Sequence, residues 1–232
     1  MSDSYLPGPV LGISAAGPSA VGLAAPGLSD RRLVHDDPRA HVESLLPLIA
    51  QLLAEIGLAP ADLAAVAVGR GPAPYTGLRI ALSTAQTFGF ALGLPVWGVS
   101  DLDVLAADAA VRLRLESGVS VLTALDAKRH EVYWSRYRVD VAGRIDGLTR
   151  LEGPAVSVPA VAPAASVVVG GGAEVYADEL HPVAGEPFGV DPVVLARLAA
   201  IRAAEGEDVG TQPLYLRRPH VQQPVARKRA TP

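Results

Sequence analysis

Cysteine is absent from this 232-residue chain. That excludes a disulfide framework, a thiolate metal site and a cysteine nucleophile. It also fits a reducing compartment, and the expected location is the cytosol. No run of about 18 apolar residues occurs, so no contact with the membrane interior is expected. Met1–Pro9 lacks the basic stretch and apolar run of a signal peptide. Positive charge is scarce as well, with 20 Lys and Arg against 24 Asp and Glu and a net charge of −4. A protein gripping nucleic acid across a whole face is normally basic. Any RNA contact is therefore expected to be local or made through a partner. The five histidines, at 35, 41, 130, 181 and 220, show neither the i, i+4 spacing of a helical zinc site nor an HExxH. His41 and Glu43, two positions apart on a helix, point to different sides. No serine occupies a G-x-S-x-G elbow.

What remains is a chain that is 50% apolar, with 23 Gly and 20 Pro, enough to bury a core in one or two domains. Val10–Ile13 and Ala20–Ala25 read as paired strands. Asp37-Pro38 reads as an N-cap and first helical residue. In the helix that follows, Val42, Leu45, Leu46, Ile49, Leu52, Leu53 and Ile56 form one apolar face. A kink is expected at Pro47, and Gly57 ends the helix. Ala64–Val68 reads as a strand covered on both faces. Leu78 to about Leu92 reads as a second helix with Thr76 as N-cap, and its face carries Leu78, Leu82 and Ala85. Pro95–Val99 is a strand, and Ser100 with Asp103 resembles a capping box for a helix to about Val111.

In the second half, strands at 119–125 and 131–139 flank a turn at Asp126–His130. Residues 153–165 read as loop with at most one short strand. Ser166–Val169 is a buried strand, followed by Gly170-Gly171-Gly172 and a helix to Leu180. Asp191-Pro192 begins the last helix. The element order implies two α/β lobes, 1–111 and 112–217, with the last helix (191–205) free to pack back on the first lobe. Residues 218–232 read as a basic tail.

The strongest motif is Gly69-Arg70-Gly71-Pro72-Ala73-Pro74-Tyr75-Thr76-Gly77-Leu78-Arg79, set between a buried strand and a helix. Its glycines permit positive φ, and N–H groups at the helix start, with Arg70 or Arg79, suit an anion. A plain sharp turn is the competing reading, because the GxxxxGK[ST] spacing of a phosphate loop is absent. Gly170–Gly172 is a second candidate anion nest or a plain turn. Asp126 suits either a metal or phosphate-bridged ion or the stabilisation of its own hairpin. An apolar helix face wider than the sheet requires would be left to bind another subunit.

The run GRGPAPYTGLRI at 69–80 closely resembles the GRGPGSFTGLRIG signature of the TsaB (YeaZ) family. His41–Pro47, Gly98–Leu102, Ala124–Tyr133 and Leu214–Arg217 resemble that family's H-S-E-x-LLP helix, GVSSLDAL, AIDARRGEVYWA hairpin and final PxYLR. The resemblance implies an actin/Hsp70-like (ASKHA) two-lobed α/β fold with mixed sheets flanked by helices. It also implies a non-catalytic subunit that activates TsaD, with TsaE joining, in threonylcarbamoyladenosine synthesis on tRNA. Self-association as a homodimer, or pairing with TsaD, would use His41, Leu45, Leu46, Ile49, Leu53, Thr76, Leu78, Arg79, Leu82 and Ala85. Contact with tRNA would come only through the complex. The implied chain has no cofactor of its own, with ATP or ADP expected at the complex interface; on the residues alone, Arg70, Asp126 and Gly170–Gly172 are the candidate cofactor contacts.

Three positions depart from the family pattern. Ser14 stands where the family carries Asp after the first strand, which weakens any independent nucleotide site, and Ala73-Pro74 replaces Gly-Ser. An ATP-dependent phosphotransferase or ATPase of the same fold is the alternative, supported by Asp126 and the two Gly-rich turns. A peptidase ranks last, for want of a metal-binding His pair or a nucleophile.

Overall fold

The computed structural model describes residues 3–35, 41–183, 185 and 188–217, with the side chains of 41–44 left aside. The Asp37-Pro38 signal, the His41 side chain and the basic tail at 218–232 lie outside the described residues. The first sheet contains β1 (Val10–Ser14), β2 (Ser19–Ala24), β3 (Arg31–His35), β4 (Ala65–Gly69) and β5 (Val96–Val99) in the order β3-β2-β1-β4-β5. β1 pairs antiparallel with β2 and parallel with β4, and β5 continues the parallel side. β3 was not foreseen. Its charged Arg31-Arg32 start hides an exposed edge strand.

Side-chain size sorts the two faces of this sheet. Leu11, Ile13, Val21, Leu23, Val66 and Val68 point to one side, where α1 (His41–Ile56) and α2 (Tyr75–Leu92) cover them. The alternate residues are small: Gly12, Gly22, Ala24, Ala65 and Ala67. On that side lies α6 (Pro192–Glu205), the last helix of the chain, at very short range. A Cβ on Gly12 would sit 1.9 Å from the Pro192 carbonyl oxygen. The Asp191 carboxylate caps α6, accepting from the N–H of Val193 at 2.8 Å and Val194 at 3.3 Å, as the Asp-Pro signature implies.

α1 runs without interruption through Pro47. α2 begins at Tyr75, three residues before the expected start. Its N-cap is Pro74, and Thr76 lies inside the first turn rather than capping it.

α3 (Asp101–Arg112) leads to the second sheet, ordered β8-β7-β6-β9, with β6 Ser120–Lys128, β7 Glu131–Val139, β8 Leu148–Ser157 and β9 Val167–Val169. β8 corrects the expectation of a loop at 153–165. Ladder bonds to β7 hold it as a ten-residue edge strand, with irregular register opposite Trp134–Tyr137. β6 runs on to Lys128, so Asp126 is a strand residue and the turn shrinks to Arg129-His130. The helix after the three glycines is broken at Tyr176 into α4 (Gly171–Val175) and α5 (Ala177–Leu180). From Gly206 to Arg217 the chain is an extended strap. Among the described residues no helix is long and apolar enough to cross a membrane.

Candidate functional site

The turn between β4 and α2 is built around a carboxylate of the chain itself. β4 and β5 lie side by side, and the chain leaving β5 turns at Ser100 into α3, which places Asp101 beneath the turn. The Gly71 N–H donates to Asp101 Oδ2 at 2.6 Å, and the Ser14 hydroxyl approaches Oδ1 at 3.5 Å. The Asp101 N–H donates back to the Gly71 carbonyl at 2.9 Å. Gly69 has to be glycine, because a Cβ there would stand 2.2 Å from Asp101 Oδ1. Gly71 has φ +97°, a region open to glycine. The group that the Gly-rich turn closes around in this fold is thus the buried carboxyl of Asp101.

Asp101 is fully buried, and burial pushes its carboxyl up to about 7, partly offset by the Gly71 and Ser14 hydrogen bonds. The unfolded chain would release this proton near pH 4. Between about pH 4 and 7 the folded protein holds more protons than the unfolded one, so this group's contribution is full below pH 4 and lost as pH rises through 7. Relative to Asp101→Asn, the wild type is expected to lose up to about 1.4 kcal/mol of stability per pH unit across that window. Urea unfolding at several pH values measures this. Parallel curves for the two proteins would refute it.

Asp103, two residues on, is a second centre. The expected capping box does not form, since the Ser100 side chain makes no cap bond. Asp103 instead accepts from Tyr137 Oη at 2.5 Å and Arg202 Nη1 at 2.8 Å, and pairs with Arg150. Burial opposes its charge, but the Arg202 and Arg150 guanidiniums prevail and hold its carboxyl below the usual range. One carboxylate thereby ties α3 to α6, β7 and β8. It borders a polar cleft of about 350 Å³ that also reaches Arg70 and Asp208.

The other residues singled out in the sequence separate into two groups. Arg70 is engaged by the strap, through Asp208 at 3.3 Å and the Gly210 carbonyl at 3.2 Å. Asp126 holds its own hairpin, accepting from Lys128 N at 2.7 Å and Lys128 Nζ at 2.6 Å. Gly170 and Gly172 back onto β6. Added Cβ atoms there would lie 2.4 Å from the Ala124 carbonyl oxygen and 2.6 Å from the Leu125 carbonyl carbon, so these glycines let α4 sit on the strand.

The helix faces need a correction. Leu45, Ile49, Leu53, Leu78, Leu82 and Ala85 are all buried in the chain's own core against β1, β2 and β4. The core takes these positions for the chain itself, so these six present no surface to a partner. What α1 and α2 expose is a different face. Leu46 is 58% and Phe90 90% accessible, and Pro47, Ala50 and Ala54 on α1 and Thr76, Ser83, Thr87 and Ala91 on α2 are exposed as well. Arg79 and Glu55 are the charged residues on the exposed side of these two helices among the described side chains.

Two mixed sheets joined through α3, with helices on both faces of the first and the last helix returning to it, define a two-lobed α/β protein of the actin/Hsp70-like class. Residues 36–161 match the family model described as TsaD, tRNA N6-adenosine threonylcarbamoyltransferase. An uncharacterized protein of Mycobacterium leprae is 42% identical over 184 residues, covering 79% of this chain and 46% of that protein. The tRNA threonylcarbamoyladenosine biosynthesis protein TsaB of Escherichia coli is 39% identical over 106 residues, 46% of this chain and 45% of that protein. The chain thus spans about half the length of these two relatives. The solved structure of YeaZ from Pseudomonas aeruginosa superposes with a TM-score of 0.75 at 31% identity, covering 90% of this chain and 100% of that one. The chain belongs to the TsaB (YeaZ) family.

Proposed function

We propose that this chain is an accessory subunit in the synthesis of threonylcarbamoyladenosine on tRNA, docking a TsaD-type transferase through the exposed face of α1 and α2. The observation that carries the docking surface is that face's composition. Leu46, Ala50 and Ala54 recur every four residues on α1 beside Ser83, Thr87, Phe90 and Ala91 on α2, all accessible. Small side chains let helices of a partner approach closely, while Leu46 and Phe90 supply apolar area. Phe90, 90% exposed and one of only three Phe in the chain, offers an aromatic anchor of the kind that interfaces favour. The same face suits a second copy of the chain when TsaD is missing. The subunit is read as having no cofactor of its own, with nucleotide and TsaE joining the complex.

The test is co-purification with TsaD together with tRNA modification when each component is omitted. Leu46→Glu and Phe90→Glu lie on the surface and should fold normally. Each is expected to weaken TsaD binding at least about tenfold, equivalent to burying an unpaired charge. Full co-elution of both variants would remove the docking face. Modification that proceeds without this chain, or magnesium-dependent ATP turnover by the chain alone, would remove the accessory role.

A further inference from the structure

Polar ties join the lobes built on the two sheets, and they grip β7 near its opposite ends. Asp103 on α3 accepts from Tyr137, towards the far end of that strand, and pairs with Arg150 on β8. The strap from Gly206 to Arg217 reaches Glu131, the first residue of β7. The stretch of strand between Glu131 and Tyr137 spans about 20 Å at the usual rise per residue. Between the two ties, α3 and Ala16 pack apolar side chains on the second sheet. Apolar packing is non-directional, so such surfaces can turn on one another. A tie at one point is a pivot, whereas ties at two separated points fix the angle.

The strap is fastened unevenly. On the first lobe it is held along its length. The Gly98 N–H on β5 donates to the Val209 carbonyl at 2.7 Å. A Cβ on Gly98 would stand 2.5 Å from the Gly210 carbonyl oxygen, so strap and β5 are in close backbone contact. Gln86 Nε2 on α2 donates to Thr211 Oγ1 at 2.9 Å, and the Leu214 N–H donates to the Arg70 carbonyl at 2.7 Å. The Tyr215 ring meets Tyr75 at the start of α2, with centroids 5.5 Å apart. On the second lobe, among the described residues, the catch is the Arg217 side chain. Its Nη1 donates to the Ala127 carbonyl at 3.0 Å, and its guanidinium pairs with Glu131. The two side chains are 25% and 34% accessible. Ion pairs open to solvent to this degree add little net stability and exchange readily with water. The first-lobe contacts therefore keep the strap in place whether or not Arg217 holds the hairpin.

We propose that the strap is a reversible clasp. With Arg217 seated on the β6–β7 hairpin the two lobes keep one angle. With it released they turn about α3 and the Asp103 tie. The clasp goes beyond the docking role and does not rest on it.

The chain has no cysteine, so a pair of introduced cysteines takes spin labels cleanly. Ala61→Cys on the first lobe and Ala142→Cys after β7 are both exposed positions. Double electron–electron resonance on the full chain, diluted into unlabelled protein so that pairs within one molecule are read, measures the distribution of distances between the lobes. The seated clasp gives one narrow distribution. Arg217→Glu should widen it at least about twofold, and the milder Arg217→Gln should widen it by less. Glu131→Arg should widen it as well. The exchanged pair, Glu131→Arg/Arg217→Glu, restores opposite charges and should be narrower than either single reversal. A distribution for Arg217→Glu as narrow as wild type, or an exchanged pair no narrower than the single reversals, would overturn the clasp. If the charge reversals unfold the chain, a wild-type distribution for Arg217→Gln overturns it equally.

Discussion

Asp103→Ala is expected to lower the thermal midpoint by about 10 °C. The carboxylate is buried and serves three donors, Tyr137, Arg150 and Arg202. Removing it leaves the buried Tyr137 hydroxyl without this acceptor and two arginines without their counter-charge. Breaking a buried pair from one side costs about 3–5 kcal/mol. In a chain of this length each kcal/mol shifts the midpoint by about 2–4 °C. Arg150 and Arg202 are partly solvated, with side chains 35% and 25% accessible, so Arg150→Ala and Arg202→Ala should each cost much less, about 1 kcal/mol. Circular dichroism melts of the three variants provide the comparison. If Asp103→Ala melts within about 2 °C of wild type, the carboxylate is not the tie between the lobes that its contacts suggest.

Gly12→Ala should be comparably damaging although it adds only a single methyl group. Its Cβ would lie 1.9 Å from the Pro192 carbonyl oxygen and 3.4 Å from the Ala196 methyl. The obstacle is helix backbone, so α6 would have to move off the sheet. Overpacking usually costs about 1–3 kcal/mol. Displacing a whole helix from β1 and β2 puts this case at about 3 kcal/mol or more. Gly17→Ala is the control, since a Cβ there meets nothing within 4 Å. Comparing their urea midpoints decides the matter, and equal midpoints would show that α6 can shift at little cost.

Features set by local chemistry were legible from the sequence, and those set by remote pairing were not. Asp191-Pro192 announces a helix start because the cap bonds reach only to Val193 and Val194. The apolar periodicity of α1 was equally plain. Periodicity, however, reports that a face is covered and is silent on what covers it, and here the first sheet took Leu45, Ile49 and Leu53. The surface that remains, around Leu46, Ala50 and Phe90, has no such signature. β8 was missed because its alternation is weak and Gly153-Pro154 reads as punctuation, whereas its strand character comes from the ladder to β7. The Gly69–Gly77 turn reads from the sequence either as a place for an anion or as a plain sharp turn. That the carboxyl of Asp101, thirty residues along, lies beneath it follows only from β4 and β5 being neighbours. Asp103 shows the converse. Its spacing from Ser100 suggested a cap, but two arginines and a tyrosine outcompeted the backbone N–H groups.

The position of α6 bears on how the molecule comes into being. Its partners β1 and β2 are synthesised well before residues 192–205, with the whole of the second sheet made in between. Throughout most of translation the glycine- and alanine-lined side of the first sheet has no helix to lie against. The N-terminal half therefore cannot complete its native packing as an independent unit in the usual vectorial order. Synthesis of α6, rather than synthesis of the strands it covers, sets when the packing of the first sheet closes.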